Sequence, residues 1–161
     1  MKRIIRPFEK NDIEKLVRLS LLAWIPVFDS FEVILGPKIF ELIWPDWRSS
    51  QEEGIEETCL SDEKSTVIVA DVNDEVVGFL AYESKPESQT GQVIFLAVHP
   101  DYQNRGIGTD LNNYALRDMK ERGMRLAVVE TGGDLAHAPA RRSYEKAGYT
   151  PLPLVRYFKN I

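Results

Sequence analysis

One cysteine, Cys59, and two histidines, His99 and His137, are all the cysteine and histidine that 161 residues supply. A lone cysteine excludes an internal disulfide and any cysteine-built zinc cage, and it suits a reducing compartment, with Cys59 read as a small buried or half-buried side chain. Two histidines with no carboxylate cluster beside them give no case for a metal site. Apolar runs of bilayer length are absent, so no membrane span is expected. No apolar core or small-residue cleavage site follows the basic residues of MKRIIRPFEKND, which predicts no secretory leader and a cytoplasmic protein. Positive charge is in deficit: 20 Lys and Arg against 25 Asp and Glu leave a formal net charge of -5. That balance argues against nucleic acid as a partner and makes a cationic or amine-bearing one easier to accommodate. Internal repeats, low-complexity stretches and linkers are missing too, and the length suits a single domain over residues 1–161.

The periodicity that is present alternates between two kinds. Arg3 to Arg6 reads as a short strand closed by Pro7, and Asn11 or Asp12 can cap a helix with Ile13, Leu16, Val17 and Leu21 on one face. After Pro26 an aromatic-rich segment with Phe28, Phe31, Phe40, Trp44 and Trp47, broken at Gly36-Pro37 and Pro45, reads as one or two short helices. Asp46 can cap the next helix, "WRSSQEEGIEETCL". "STVIVADVNDEVVGFLAYES" then splits into two β-branched runs at Asn73-Asp74, a pair that tolerates positive φ and predicts a hairpin. "GQVIFLAVHP" and "RLAVVET" are apolar enough to be central strands. Between them lies a helix with Ile107, Leu111, Ala115 and Met119 on one face and Gly123 at its C-cap. "APARRSYEKAG" predicts a short helix closed by Gly148, and "YTPLPLVRYFK" predicts the last strand or strands.

Within "VHPDYQNRGIGTDLNNYAL" two glycines stand one residue apart where a strand hands over to a helix. The first turn of a helix offers unpaired N–H groups and a positive dipole end, and glycine lets an anion approach them. The backbone from Gln103 to Thr109, with Gly106 and Gly108 removing Cβ atoms and Arg105 adding charge, is composed like a pyrophosphate cradle. A dinucleotide fingerprint fails because its third glycine position is Leu111, and a Walker loop fails for want of a Gly-Lys-Ser/Thr ending. Gln103-Asn104-Arg105-Gly106-Ile107-Gly108 fits the acyl-CoA pattern Q/R-x-x-G-x-G/A at every fixed position.

That loop, on "LAVHPDYQNRGIGTDL", and the later "ARRSYEKAGY" together resemble the GNAT superfamily of acetyl-CoA-dependent N-acetyltransferases over most of the chain. The resemblance implies an α/β (α+β) fold: a mixed central sheet of about six to seven strands flanked by helices, with a V-shaped opening between Val93 to Val98 and Leu126 to Thr131. It implies acetyl-CoA as acetyl donor, held by the main chain of Leu96, Ala97 and Val98 and by Gln103, Asn104, Arg105, Gly106, Ile107, Gly108 and Thr109, with Tyr144 also against the cofactor. It also implies a backbone N–H that polarises the thioester carbonyl.

Acetyl transfer to an amine needs a neutral nucleophile and a proton for the departing thiolate. Tyr144 stands where the family has its general acid, and a phenol stays protonated at neutral pH. Glu130, Asp134 and His137 are the candidates for the base. His137 falls where the family commonly has an asparagine against the cofactor, so it reads as a substitute cofactor contact, as a base, or as a residue of the helix cap. His99, before Pro100, reads as a turn residue. The segment Trp24 to Trp47 corresponds to one wall of the acceptor site, where Asp29, Glu32, Glu41 or Asp46 could draw in an amine, or else to a helix pair that covers the sheet. The expected acceptor is a primary amine of a small molecule or peptide. A catalytically silent acyl-CoA-binding protein is the alternative, and a homodimer through "YTPLPLVRYFKNI" stays open.

Overall fold

The computed structural model describes residues 2–61 and 63–161. Its centre is a sheet of five strands in chain order: β1 (Arg3–Pro7), β2 (Ser65–Val72), β3 (Glu75–Lys85), β4 (Thr90–Val98) and β5 (Leu126–Val128). The first four pair antiparallel and β5 joins β4 in parallel, so the sheet is mixed as expected. Asn73 and Asp74 carry φ of 53° and 66°, the twist that a two-residue hairpin loop requires.

Alternation along the strands builds two apolar layers. Val67, Val69, Phe79, Ala81 and Ala97 face α1 (Ile13–Leu35) and α3 (Trp47–Leu60), where Leu16, Leu19, Ile55 and Cys59 meet them. Ile68, Ala70, Leu80, Tyr82 and Val93 face α4 (Ile107–Glu121) through Ile107, Leu111, Ala115 and Met119. The predicted stripe of α4 is thus the one that is buried. Burial also pushes the Cys59 thiol up to about 11, which suits an inert core residue.

Three expectations need correction. Pro26 does not end the first helix: α1 runs through it to Leu35, and only then does α2 (Pro37–Ile43) begin. Proline there costs the bond to the Leu22 carbonyl, but Leu22 is 44% exposed and water can replace the donor. "RLAVVET" is not a central strand, because β5 ends at Val128 and forms the edge of the sheet. "YTPLPLVRYFK" adds no strand: residues 150–161 are irregular and exposed, with Pro151 and Pro153 each removing a ladder N–H, so the described residues form a sheet of five strands rather than six or seven. Asp46 does cap α3, accepting from the Ser49 N–H at 3.2 Å. Asp12 precedes α1, yet its carboxylate turns back to the Glu9 N–H at 2.9 Å and to Arg6 at 2.8 Å.

Candidate active site

The opening between β4 and β5 has a local cause. β5 pairs with β4 only at Thr90, Gly91 and Gln92, while β3 follows β4 to Val98. Just beyond Gln92 the β3 register passes from Phe95 opposite Ala81 to Val93 opposite Tyr82, leaving Ile94 as an extra residue. A bulge bends its strand and sharpens the twist. From Val93 to Val98, β4 therefore has no strand partner on its β5 side among the described residues. This is the edge against which an extended ligand with amide groups would pair, and Leu96, Ala97 and Val98 lie on it. Gln103 folds back to donate from Nε2 to the Val98 carbonyl at 3.1 Å, which ties the glycine loop to the end of that edge.

The loop turns into α4 by two left-handed residues, Asn104 with φ 60° and Gly106 with φ 82°. The first intrahelical bond runs from the Asp110 N–H to the Gly106 carbonyl at 3.0 Å. Ile107, Gly108 and Thr109 are left with amides lacking intrahelical acceptors at the positive end of the helix. Arg105 lies over the Tyr102 ring at 5.2 Å, Arg142 donates to Asn104 Oδ1 at 3.3 Å, and Arg3 donates to the Arg105 carbonyl at 2.8 Å. Three guanidinium groups thus surround this loop in a chain of net negative charge. Free amides and cations suit a diphosphate, so the residues present fit the pyrophosphate of acetyl-CoA. The Ile107 side chain itself is core, 1% exposed, and only its amide is available. Gly108 serves helix packing as well: a Cβ there would stand 2.9 Å from Ser143 Oγ on α5 (Ala138–Lys146). Asn112, fully buried, donates to the Gly108 carbonyl at 2.9 Å and to Ser143 Oγ at 3.2 Å, locking α4 to α5.

Tyr144 is on α5 and 8% exposed, its ring edge-on to Tyr149 at 5.7 Å. Burial, with the neighbouring Tyr149 hydroxyl adding to it, pushes the phenol well above its ordinary range. Tyr149, whose buried hydroxyl has no partner, is pushed up to about 12 by burial alone.

Asp134 and His137 form a built pair. His137 Nδ1 lies 2.5 Å from Asp134 Oδ1, and the Ser30 hydroxyl of α1 donates to Asp134 Oδ2 at 2.7 Å. Arg141 clamps the loop by donating to the Gly132 and Asp134 carbonyls, both at 2.6 Å. At Gly132 a Cβ would come within 2.4 Å of His137 Nδ1 and 2.5 Å of Asp134 Oδ1, so the absence of a side chain is what lets the pair close. Burial alone would raise the Asp134 carboxyl, but the hydrogen bonds from Ser30 and His137 outweigh it and hold the group below its usual range. The His137 ring rests 5.4 Å from Phe31, which stacks on Trp44 at 4.9 Å. Glu130 is exposed beyond the end of β5 and joins none of this. His99 is the turn residue expected, its Nδ1 accepting from the Asp101 N–H at 3.3 Å.

The aromatic residues pack largely on one another. Phe28 stacks on Trp47 at 4.3 Å and meets Trp44 edge-on, while Arg48 covers Trp47 at 4.3 Å. A cavity of about 280 Å³ beside them is lined in part by Asp29, Glu32 and Asp46; Glu41 is exposed elsewhere on α2. Sequence reasoning missed Ser30, Gly132 and Arg141. Ser30 was hidden by the assumption that the helix stops at Pro26, whereas Gly132-Gly133 after an apolar strand is a turn signal by which Gly132 could have been found.

The sequence profile described as "Acetyltransferase (GNAT) family" matches residues 36–149. Over 67 residues, 42% of this chain and 22% of the relative, the sequence is 36% identical to the mycothiol acetyltransferase of Beutenbergia cavernae. It is 30% identical over 93 residues to an uncharacterized N-acetyltransferase of Methanocaldococcus jannaschii, which is 55% of this chain and 40% of that one. The chain therefore spans well under half the length of either relative. In fold it superposes on a protein from Desulfovibrio desulfuricans assigned to the same family, with TM-score 0.73 at 22% identity, covering 98% of this chain and 91% of that one. The PaiA N-acetyltransferase of Thermoplasma acidophilum, solved with coenzyme A, gives TM-score 0.72 at 19% identity over 93% and 91% of the two chains. Because the profile match runs from the start of α2 through the end of α5, well over half of the sequence, the chain belongs to the acetyltransferase (GNAT) family.

Proposed function

We propose that the protein is an N-acetyltransferase that moves the acetyl group of acetyl-CoA directly to a primary amine of a small molecule or peptide. The observation that carries this reading is the continuity of one surface: the unpaired edge of β4, the Gln103 tie and the open amides of α4 follow one another without a break. The edge would take the pantetheine amides and the α4 amides the pyrophosphate. Relatives named as N-acetyltransferases support the class of reaction.

His137 is the base in this reading. The Asp134 carboxylate, 2.5 Å from Nδ1, favours the tautomer with hydrogen on that nitrogen, and the reading gives the role of base to Nε2. The amine nitrogen attacks the thioester carbonyl carbon, Nε2 takes the amine proton, and the carbon–sulfur bond breaks. Tyr144 gives its proton to the thiolate and regains one from water. His137 is the N-cap of α5 and Tyr144 lies seven residues further on, within that helix. Glu130, acting through water, is the reserve candidate, and His137 against the cofactor is the reserve role for that residue.

Phe31 and Trp44 would form the acceptor's wall beside the imidazole. The reading extends to one domain over residues 1–161, action in the cytoplasm, no metal, and a homodimer that covers the exposed apolar residues Leu152, Leu154, Val155 and Tyr157.

The test is thiol release from acetyl-CoA across a panel of primary amines, comparing the native protein with Tyr144→Phe. The expected result is turnover with at least one amine and a loss in kcat of roughly a hundredfold in the variant, its CoA affinity unchanged. Binding without turnover across the panel would instead identify a silent acyl-CoA-binding protein.

A further inference from the structure

We propose that Arg3, on the far edge strand of the sheet, is a positioning residue for the diphosphate cradle: it sets the direction of the Gly106 amide and neutralises Asp110. This inference rests on reading the α4 loop as the cradle for acetyl-CoA.

Arg3 is 102 residues from the loop in sequence, and its guanidinium reaches it from the β1 side. One nitrogen, Nη2, donates to the Arg105 carbonyl at 2.8 Å. The other, Nη1, pairs with the Asp110 carboxylate in the first turn of α4 and lies 3.7 Å from where a Gly106 Cβ would be.

The Arg105 carbonyl sits between the two left-handed residues, Asn104 and Gly106. Asn104 is a residue type that tolerates the left-handed region, and the Arg142 bond to its Oδ1 helps to hold it there. A trans peptide holds its C=O and N–H on opposite sides of one plane. No peptide here is cis. Fixing the Arg105 carbonyl toward Arg3 therefore turns the Gly106 N–H away from Arg3, and the peptide can no longer flip. The donor is set before any ligand arrives, which removes an ordering cost from binding.

The second arm acts through charge. A carboxylate in the first turn of a helix stabilises the helix alone, but Asp110 also lies within one turn of the amides proposed for the diphosphate, and like charges repel at that range. Paired with Arg3 its charge is offset, and the helix end remains attractive to an anion. Arg105 and Arg142 stand at the loop from other directions and make neither contact.

Calorimetric titration with CoA of the native protein, Arg3→Ala, Arg3→Lys and the double variant R3A/D110N tests this. Arg3→Ala should weaken CoA binding roughly tenfold, the loss of a charge-assisted contact. Arg3→Lys should recover part of that, because it restores charge but not both donors. The double variant should also recover only part, because it removes the repulsion but leaves the Arg105 carbonyl free. In the thiol-release assay the loss should appear in the KM for acetyl-CoA, with kcat at saturation within about twofold of native. Native-like CoA affinity in Arg3→Ala overturns the proposal, as does a fall in kcat at saturation with unchanged KM. Should Arg3→Ala not fold, native-like affinity in Arg3→Lys overturns it equally. Failure of the native protein to bind CoA is a separate outcome, which removes the cradle reading itself.

Discussion

At the scale of single residues, a side chain that is missing matters as much as those present. Gly132 has ordinary backbone angles for any residue, since it is not among the glycines of positive φ, yet a methyl group there would strike both members of the Asp134–His137 pair. Gly132→Ala should therefore separate the carboxylate from the imidazole while leaving the core alone. The expected outcome is a rate of thiol release lowered roughly tenfold to a hundredfold, as for loss of a positioned general base, with unchanged CoA affinity. Full activity in this variant would show that His137 works without Asp134, or not at all. Ser30 adds the same lesson from the other side: a single hydroxyl on α1 fixes the second oxygen of Asp134 and so couples that helix to the Asp134–His137 pair.

At the scale of elements, the ion network of Arg6 joins β1 to the start of α1. Arg6 donates to Asp71 at 2.6 Å and to Asp12 at 2.8 Å, and Asp12 is only 3% exposed. Burial would raise the Asp12 carboxyl, but the Arg6 guanidinium and the Glu9 N–H prevail and leave it below its usual value. A carboxyl lowered by folding stabilises the protein above its unfolded value, near 4, and that contribution is lost as pH falls through the folded value. Asp12→Asn should thus cost about 2 kcal/mol at pH 7, the worth of charge-assisted bonds, and progressively less in acid. Thermal unfolding from pH 7 down to pH 3 checks it, and an equal deficit at both ends would contradict it. Elements also show what the sequence could reveal. The Asn73-Asp74 hairpin, the Asp46 cap and the buried stripe of α4 were legible because each follows from neighbours in the chain. The length of α1 was not, because Pro26 is a local veto overruled by the exposure of Leu22 and by aromatic packing further along. The short span of β5 was equally hidden, since it depends on a bulge at Ile94 in a different strand.

At the scale of the whole molecule, the site is an assembly of remote parts. The glycine motif marked the loop, but the contacts that hold it come from Arg3 on β1, from the Val98 carbonyl on β4 and from Ser143 on α5. Sequence proximity could supply the motif and Tyr144, whereas Ser30 and Arg3 emerge only when the chain is folded. The last residues, 150–161, leave several large apolar side chains in solvent, the surface that the proposed homodimer would cover. Light scattering should give twice the mass of one chain, and removal of residues 150–161 should give one; a native single-chain mass would refute the dimer.

The central claim is that the opening of the sheet and the α4 loop hold acetyl-CoA. Calorimetric titration with acetyl-CoA and CoA, with ATP and NAD as controls, tests it most directly. The account predicts dissociation constants of roughly micromolar or tighter for the two thioester-pathway ligands, about −8 kcal/mol, and no comparable heat from the controls. Absence of acetyl-CoA binding, or tighter binding of ATP or NAD, would contradict it and remove every catalytic role assigned above.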